Sequence, residues 1–249
     1  MKEAIFPGCS LTQSAKDYYY STKIILRYLG KEIEELPEWE CCGATILPSV
    51  SKKDFEEVNK RNIERATLLK IKRLISPCSS CFINLKKFSE NKVEIIHLLY
   101  YLYEMKDKIK LKVKDKKDLK IIPYYGCQTL RPFGKENVWN PFSMDEIIEI
   151  CGFKVVNFPY KTKCCGGVVS QIEPYRGNEI IKEIFEDFVE KFDIVSTICP
   201  LCRINLEFTF LKLKFKKPVL YLTQIIGISF GINERELFLN KSLISFKIK

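Results

Sequence analysis

The sequence predicts an α/β protein made of two similar halves, each a small, mainly parallel sheet flanked by helices. Three observations predict this architecture. Ten of the eleven cysteines form one pattern twice, a single Cys, a Cys-Cys-Gly and a Cys-x-x-Cys. Short apolar runs typical of strands alternate with segments of helical periodicity. Each cysteine motif follows a predicted strand, at the carboxyl edge where open α/β sheets bind ligands.

In the first half, apolar spacing and capping residues define the elements. Gly30 lies where a helix C-cap belongs, and Ser51 with Asp54 three residues later forms a predicted N-terminal cap. The strand at 31–36 is weak, because only Ile33 and Leu36 in it are apolar. The predicted elements are strand 2–6, a loop at 7–10, helix 17–29, strand 31–36, helix 51–69, strand 73–76, helix 77–88, strand 93–96 and helix 97–103.

The second half repeats this order. Its predicted elements are strand 119–124, helix 143–151, strand 153–157, helix 178–191, strand 194–197 and strand 218–222. We therefore divide the chain into a first half at 1–106, a lysine-rich connector at 107–118 and a second half at 119–249. From the single Cys to the Cys-Cys pair there are 31 and 36 residues, and from the pair to the Cys-x-x-Cys 35 and 33, so the duplication spans both halves.

The composition indicates a globular, cytoplasmic protein. It is 46% hydrophobic and 29% charged, with no uncharged apolar stretch of membrane-spanning length and no secretory leader at the N-terminus. In a reducing compartment, eleven cysteines indicate metal or redox chemistry before structural disulfides. The net charge of +10 either attracts an anionic substrate or acidic partner, or reflects the lysine- and isoleucine-rich composition of a protein from a thermophilic or AT-rich source. No basic motif interleaved with aromatic residues indicates nucleic-acid binding.

The cysteine chemistry favours iron and sulfide. A thioredoxin-like pair would explain one Cys-x-x-Cys but neither the vicinal pair nor the single cysteine. Structural zinc needs only four ligands, so zinc at one of the two sites stays an alternative. Ferredoxin-type cysteine runs are absent from the sequence. The fifth cysteine of each set either bridges metals in an open cluster or is a free thiol, and spacing alone leaves this open.

The double pattern resembles the CCG-domain family, and within it the B subunit of heterodisulfide reductase. Four further segments of the second half, at 124–128, 131–132, 140–144 and 160–167, resemble the signature of that family. The resemblance implies two noncubane [4Fe-4S] clusters, each held by five cysteines and flanking a substrate disulfide between the halves. The implied ligands are Cys9, Cys41, Cys42, Cys78 and Cys81 in the first set and Cys127, Cys164, Cys165, Cys199 and Cys202 in the second, which would also be the catalytic set.

The implied function is that of the catalytic subunit of a heterodisulfide-reductase-type complex, an oxidoreductase acting on a sulfur group. Its substrate would be the coenzyme M–coenzyme B heterodisulfide, or sulfur on a lipoyl protein in a sulfur-oxidising complex. Electrons would come from a ferredoxin-like C subunit and a flavin-bearing A subunit, because the chain has no nucleotide-binding motif. The alternatives are an electron-transfer iron–sulfur subunit of a 2-hydroxy-acid oxidoreductase complex and a zinc-stabilised scaffold.

Three other residues, and the charges near the cysteines, lead to further expectations. We predict a core or helix-surface role for His97, a small buried role for Cys151, and shielding of the first site by Trp39. Five glutamates between 32 and 40 precede the first vicinal pair, whereas three lysines between 154 and 163 precede the second. Because positive charge raises a reduction potential, we expect the second cluster to accept electrons from the first, with the C subunit docked nearer the first half.

Overall fold

A computed structural model describes residues 2–114 and 118–246. The chain forms two parallel sheets, confirming the predicted class and the two-half repeat. The first sheet has the order β1-β2-β3 and the second the order β5-β4-β6-β7. The strands are β1 (Glu3–Ile5), β2 (Arg73–Ser76), β3 (Glu94–His97), β4 (Lys120–Tyr124), β5 (Lys154–Val155), β6 (Ile194–Thr197) and β7 (Val219–Tyr221).

Helices connect and flank the strands. Those of the first half and the connector are α1 (Gly8–Thr12), α2 (Lys16–Tyr28), α3 (Leu47–Val50), α4 (Lys52–Leu68), α5 (Ser79–Phe88), α6 (Leu98–Glu104) and α7 (Lys106–Lys110). Those of the second half are α8 (Ser143–Ile150), α9 (Val169–Ile172), α10 (Pro174–Phe185), α11 (Pro200–Lys212) and α12 (Leu222–Ser229), with 3-10 turns at Glu186–Lys191 and Leu239–Lys241.

The two sheets are built on the same plan. In each, the strand before the single cysteine pairs in parallel with the strand before the Cys-x-x-Cys, as β1 with β2 and β4 with β6. The predicted strand at 31–36 is reduced to one parallel bridge between Ile5 and Glu35. This bridge lies beside β1 in the first sheet, at the position that β5 occupies beside β4 in the second sheet. A segment with two apolar residues buries too little surface to sustain a longer strand.

Local sequence accounts for two differences from the predicted elements. The predicted loop at 7–10 contains the short helix α1, which begins at Gly8. The predicted helix at 178–191 begins earlier, because Pro174 occupies its first turn, where a missing N–H costs nothing. It ends at Phe185 and continues only as a 3-10 turn.

One large hydrophobic core extends through both halves. Across the halves, α12 packs against α2, and α8 packs against α6 and α7. Within the predicted connector, α7 buries Ile109, while residues 115–117 lie outside the described part of the chain. A smaller core belongs to the second half alone. The shared core holds the carboxyl edges of the two sheets together, so the cysteine loops of both halves meet.

None of the helices formed by residues 2–114 and 118–246 is both long enough and apolar enough to cross a membrane.

Two candidate metal centres

A glycine before each single cysteine allows the cysteine loops to meet. Gly8 has a φ of +69°, and a Cβ there would lie 2.8 Å from the Sγ of Cys81. Gly126 has a φ of +67°, and its Cβ would lie 2.9 Å from the Sγ of Cys202. Both positions therefore need glycine for the left-handed backbone and for the close approach of a sulfur. In each half, the backbone just before the single cysteine thus lies against the sulfur of the last cysteine of the set.

Each Cys-x-x-Cys opens a helix. Cys78 is the N-cap of α5 and Cys199 the N-cap of α11, both with extended backbone. A hydrogen bond from the Cys202 thiol, followed by those from the backbone amides of Cys202 and Leu201, lowers the pKa of Cys199 to about 7. Helix N-termini favour thiolates in this way, and the thiolate is the form that binds metals.

The structure brings all five sulfurs of each predicted set into one series of contacts. In the first set the series is Cys9–Cys41–Cys42–Cys81–Cys78. In the second it is Cys127–Cys164–Cys165–Cys202–Cys199. The two series have the same order, and in the first the Sγ atoms of Cys42 and Cys81 are 3.3 Å apart. Both vicinal cysteines of each pair are therefore within their set.

Solvent reaches each set from one side only. The single cysteine and the first cysteine of the vicinal pair are exposed or half-buried, and the other three are buried. The exposed members are Cys9, Cys41 and Cys164, the half-buried one is Cys127, and the buried ones are Cys42, Cys78, Cys81, Cys165, Cys199 and Cys202. A group held by either set would therefore be open to a substrate or partner on one face and closed on the other.

The crowded thiols cannot all ionise together. Hydrogen bonds from the Cys127 and Cys165 thiols lower the pKa of Cys164 to about 2, while the hydrogen bond to Cys164 raises the pKa of Cys127. Metal cations would replace these protons, and soft iron suits an all-thiolate donor set. The donor chemistry thus fits a cluster. Among residues 2–114 and 118–246, no group of three or more His, Cys, Asp or Glu side chains is placed to hold a single metal ion.

A repeated asparagine supports both sites, and the predicted site residues do not include it. Asn84 and Asn205 each follow the last cysteine of their set by three residues, and each donates to the carbonyl of the second vicinal cysteine. In the first half Asn59 donates to the same carbonyl of Cys42, at 3.1 Å. These bonds fix the vicinal loop against the helix that carries the Cys-x-x-Cys. The signal is present in the sequence, since both motifs read Cys-x-x-Cys-x-x-Asn.

The two Cys-x-x-Cys loops lie side by side. The hydroxyl of buried Tyr18 contacts the carbonyl of Pro77 at 3.3 Å and that of Ile198 at 3.2 Å, and these residues directly precede Cys78 and Cys199. A cavity of about 70 Å³ is lined by all five cysteines of the second set. Residues of both halves line it, including Thr45 and Ser80 of the first half.

His97 is a core residue, as predicted, and it also contacts the cavity wall. Its Nδ1 accepts from the backbone N–H of Leu99 at 3.1 Å, so Nε2 carries the proton and donates to Ser79 Oγ at 3.2 Å. Burial lowers the pKa of His97 to about 3, so the ring is neutral. Ser79 also contacts Thr129 Oγ1 at 2.7 Å and forms a hydrogen bond with Cys199. First-half residues thus reach a sulfur of the second set.

The other two singled-out residues lie in the interior or at its edge. Cys151 is fully buried in the shared core, confirming the predicted role, and burial raises its pKa to about 12. Trp39 is half-buried and packs edge-on against Phe6, with ring centroids 5.6 Å apart.

Acidic and basic neighbours reduce the predicted charge difference between the sites. Near the first set, Glu40 pairs with Arg61 at 2.7 Å. Near the second set, Lys161 is nearly buried and pairs with Asp145 at 2.7 Å. Much of the formal charge counted along the sequence is therefore neutralised by residues of other elements.

This duplicated site defines a class of cysteine-rich domain proteins. The family model described as "CCG: Cysteine-rich domain" matches residues 4–86 and 121–207, so the chain belongs to this family. A crystal structure of a hypothetical protein from Helicobacter pylori has the same fold, with a TM-score of 0.76, 16% identity, and coverage of 99% of this chain and 52% of that one.

Curated relatives match nearly the whole chain. The 8-methylmenaquinol:fumarate reductase membrane anchor subunit of Wolinella succinogenes is 29% identical over 97% of this chain and 96% of its own. The B subunit of the ferredoxin/F420H2-dependent CoB-CoM heterodisulfide reductase of Methanosarcina acetivorans is 24% identical over 98% and 94%. A protein of Archaeoglobus profundus that is described as like the heterodisulfide reductase B subunit is 26% identical over 94% and 92%. The expected relation to the B subunit of heterodisulfide reductase is confirmed.

Proposed function

We propose that this protein is the redox subunit of a heterodisulfide-reductase-type complex and that it reduces or forms a disulfide. The observation that carries the proposal is the pair of matched five-sulfur sets, whose Cys-x-x-Cys loops meet at Tyr18. Each set would hold one noncubane [4Fe-4S] cluster with all five of its cysteines. The alternative of a zinc-stabilised scaffold has no support from the relatives.

The chain's own residues prepare the second set for this chemistry. When bound, the clusters would supply single-electron transfer and iron that binds thiolate sulfur. All five cysteines of the second set line the cavity, and Thr45, Ser79 and Ser80 of the first half complete its wall. Reduction of a disulfide consumes two electrons and two protons and yields two thiols. Two clusters that each transfer one electron would match that electron count.

Partners and substrate are further parts of the proposal. The substrate would be the coenzyme M–coenzyme B heterodisulfide or sulfur carried on a lipoyl protein, in the cytoplasm. Electrons would pass through a ferredoxin-like subunit and a flavin-bearing subunit, since the relatives of Methanosarcina are named as subunits of larger reductases.

A second candidate is an electron-transfer subunit of another oxidoreductase, such as a fumarate or 2-hydroxy-acid oxidoreductase complex. The 29% identity to a fumarate reductase subunit over nearly the full length of both chains favours it. In that case both clusters would pass electrons on, and the cavity beside the second set would bind no disulfide.

Disulfide reduction by anaerobically purified protein with clusters distinguishes the two. With reduced viologen as electron donor, we expect thiol release from the coenzyme heterodisulfide or an oxidised lipoyl protein. Cys165→Ser should abolish that release and alter the EPR signal of the second cluster. An unchanged EPR spectrum together with a Cys165 that alkylating agents modify in the wild type would rule out five-fold ligation. Viologen oxidation by fumarate alone, in the complete complex, would favour the second candidate.

A further inference from the structure

The solvent-facing side of α11 carries exposed apolar side chains. Ile204, Phe208 and Leu211 project from this helix and are 39%, 53% and 47% exposed. Leu243 lines a groove together with Ile204 and Phe208 and is 47% exposed. We call Ile204, Phe208, Leu211 and Leu243 the α11 surface. Apolar patches of this kind mark interaction sites when they are continuous.

Grooves run along both sides of the helix. One has a volume of about 360 Å³ and lies between α11 and the loop that precedes α2. The other, of about 310 Å³, lies between α11 and the segment from α9 to α10. Ile204 and Phe208 line both grooves and so form the ridge between them. A ridge between two grooves offers the shape complementarity that a folded protein surface needs.

The first half shows that the fold does not require this apolar surface. With the two Cys-x-x-Cys motifs aligned, Ile204, Phe208 and Leu211 correspond to Ile83, Lys87 and Glu90. Ile83 is half-buried, and the other two are exposed and charged. Of the three first-half counterparts, Ile83 and Lys87 lie on α5 and Glu90 lies beyond its end. The exposed Phe208 of α11 thus corresponds to an exposed lysine on α5, which indicates a use specific to the second half.

The charges around the grooves are of one sign. Lys16, Lys212 and Lys241 line the grooves and are exposed. The two acidic side chains in the lining, Asp17 and Glu207, are buried and paired with Arg203. The rim therefore attracts carboxylates and repels a second copy of the same rim.

We propose that the α11 surface docks an acidic protein partner, with apolar side chains in the two grooves and carboxylates opposite the three lysines. Leu201 and Gly167 line both the second groove and the cavity beside the second cysteine set, so this partner would lie next to that set. Resting on the proposed function, the partner is the subunit that exchanges electrons with the second cluster. This places docking on the second half, in contrast to the first-half docking expected from the charges along the sequence.

Carbodiimide cross-linking of the native complex tests the surface, because this reagent joins lysines to contacting carboxylates. The complex is isolated anaerobically through a tag on this chain, and linked peptides are identified by mass spectrometry. We expect Lys16, Lys212 and Lys241 to link to Asp or Glu of one partner chain. Links from these lysines to a second copy of this chain, or partner links confined to other lysines such as Lys87, would overturn the proposal.

A variant that copies the first half supplies the second test. Phe208→Lys with Leu211→Glu should weaken retention of the linked partner at least tenfold while leaving the iron content unchanged. The control is Leu68→Lys, which alters an exposed leucine of α4 and should retain the partner. Undiminished retention in the double variant would refute the docking site. Flotation of the wild type with vesicles of anionic lipid, lost in the double variant, would assign the surface to a membrane instead. Wild-type protein that lacks iron but still shows the expected links would count against the proposed function alone.

Discussion

The two Cys-x-x-Cys motifs differ in the residues between and after their cysteines, although their sulfurs are arranged alike. The first motif encloses Ser79 and Ser80, and both hydroxyls reach the second site, one at Cys199 and one at Gln128. The second motif encloses Pro200 and Leu201, which have no side-chain donor. The repeated glycines and asparagines fix how the cysteines are arranged. The residues that differ between the two motifs make the surroundings of the two sets unequal.

A second difference lies directly after each motif. The first half has buried Phe82, and the second has buried Arg203, which pairs with Asp17 of the first half and with Glu207. The guanidinium also lies 4.6 Å from the centre of the Tyr221 ring. A hydrophobic contact in one half is thus replaced by a charged contact between the halves.

The largest expected effect comes from the glycines that the two sites share. Gly126→Ala or Gly8→Ala should abolish one cluster and roughly halve the bound iron, because the new Cβ would meet a cysteine sulfur and the backbone is left-handed. Gly30→Ala is the matched control, since its φ is +76° but nothing lies within 4 Å of its Cβ. Iron analysis checks this, and equal iron in all three variants would contradict it.

Removing Arg203 should destabilise the protein more than removing an exposed arginine. Arg203→Met leaves Asp17 and Glu207 buried without their partner, which costs about 3–5 kcal/mol. Arg61→Met breaks an exposed pair with Glu40, which water and salt screen, so it should cost much less. Urea unfolding under anaerobic conditions measures both, and similar losses for the two variants would show that the contact between the halves is not stabilising.

His97 should make stability depend on pH on the acidic side. Its pKa is about 3 in the folded protein against an ordinary value of 6.5, so the unfolded chain takes up the proton first as the pH falls. The contribution of neutral His97 to the free energy of unfolding is fully present above pH 6.5 and is lost progressively as the pH falls to about 3. At pH 5 the loss amounts to about 2 kcal/mol. His97→Gln should flatten this part of the stability curve relative to the wild type. Parallel curves would indicate that the imidazole is not buried as a neutral group.

The smallest expected effect concerns the serines that reach the second site. Ser79→Ala removes a donor to the Cys199 sulfur and should lower the potential of the second cluster by roughly 40 mV, equivalent to about 1 kcal/mol. Ser80→Ala is the control, because Ser80 bonds to Gln128 and not to a cysteine. An EPR-monitored redox titration measures the reduction potentials of both clusters. A shift confined to the first cluster would contradict the hydrogen bond between Ser79 and Cys199 of the second set.

The elements that were predicted correctly are those whose local sequence alone specifies them. The strands at 73–76 and 194–197 are found as predicted, because each is a compact buried run beside a helix-opening cysteine motif. The weak strand at 31–36 is present only as a bridge. The pairing of Lys161 with Asp145 was not predictable, because sequence counts formal charges and not the partners that distant loops supply.

The contacts between the halves were likewise beyond the sequence. The position of Ser79 beside a second-half cysteine depends on how the two sheets pack through the shared core. No spacing rule within one half specifies that packing. The ten cysteines could be grouped from their order alone, whereas the cavity, the cross-half hydrogen bonds and the α11 surface depend on how distant segments pack together.

Iron and acid-labile sulfide analysis of anaerobically purified protein tests the central claim most directly. Two clusters predict about eight iron and about eight sulfide per chain, with no zinc. About four iron with one zinc would contradict the presence of a cluster in each of the two sets. Zinc in place of iron would contradict the redox function altogether.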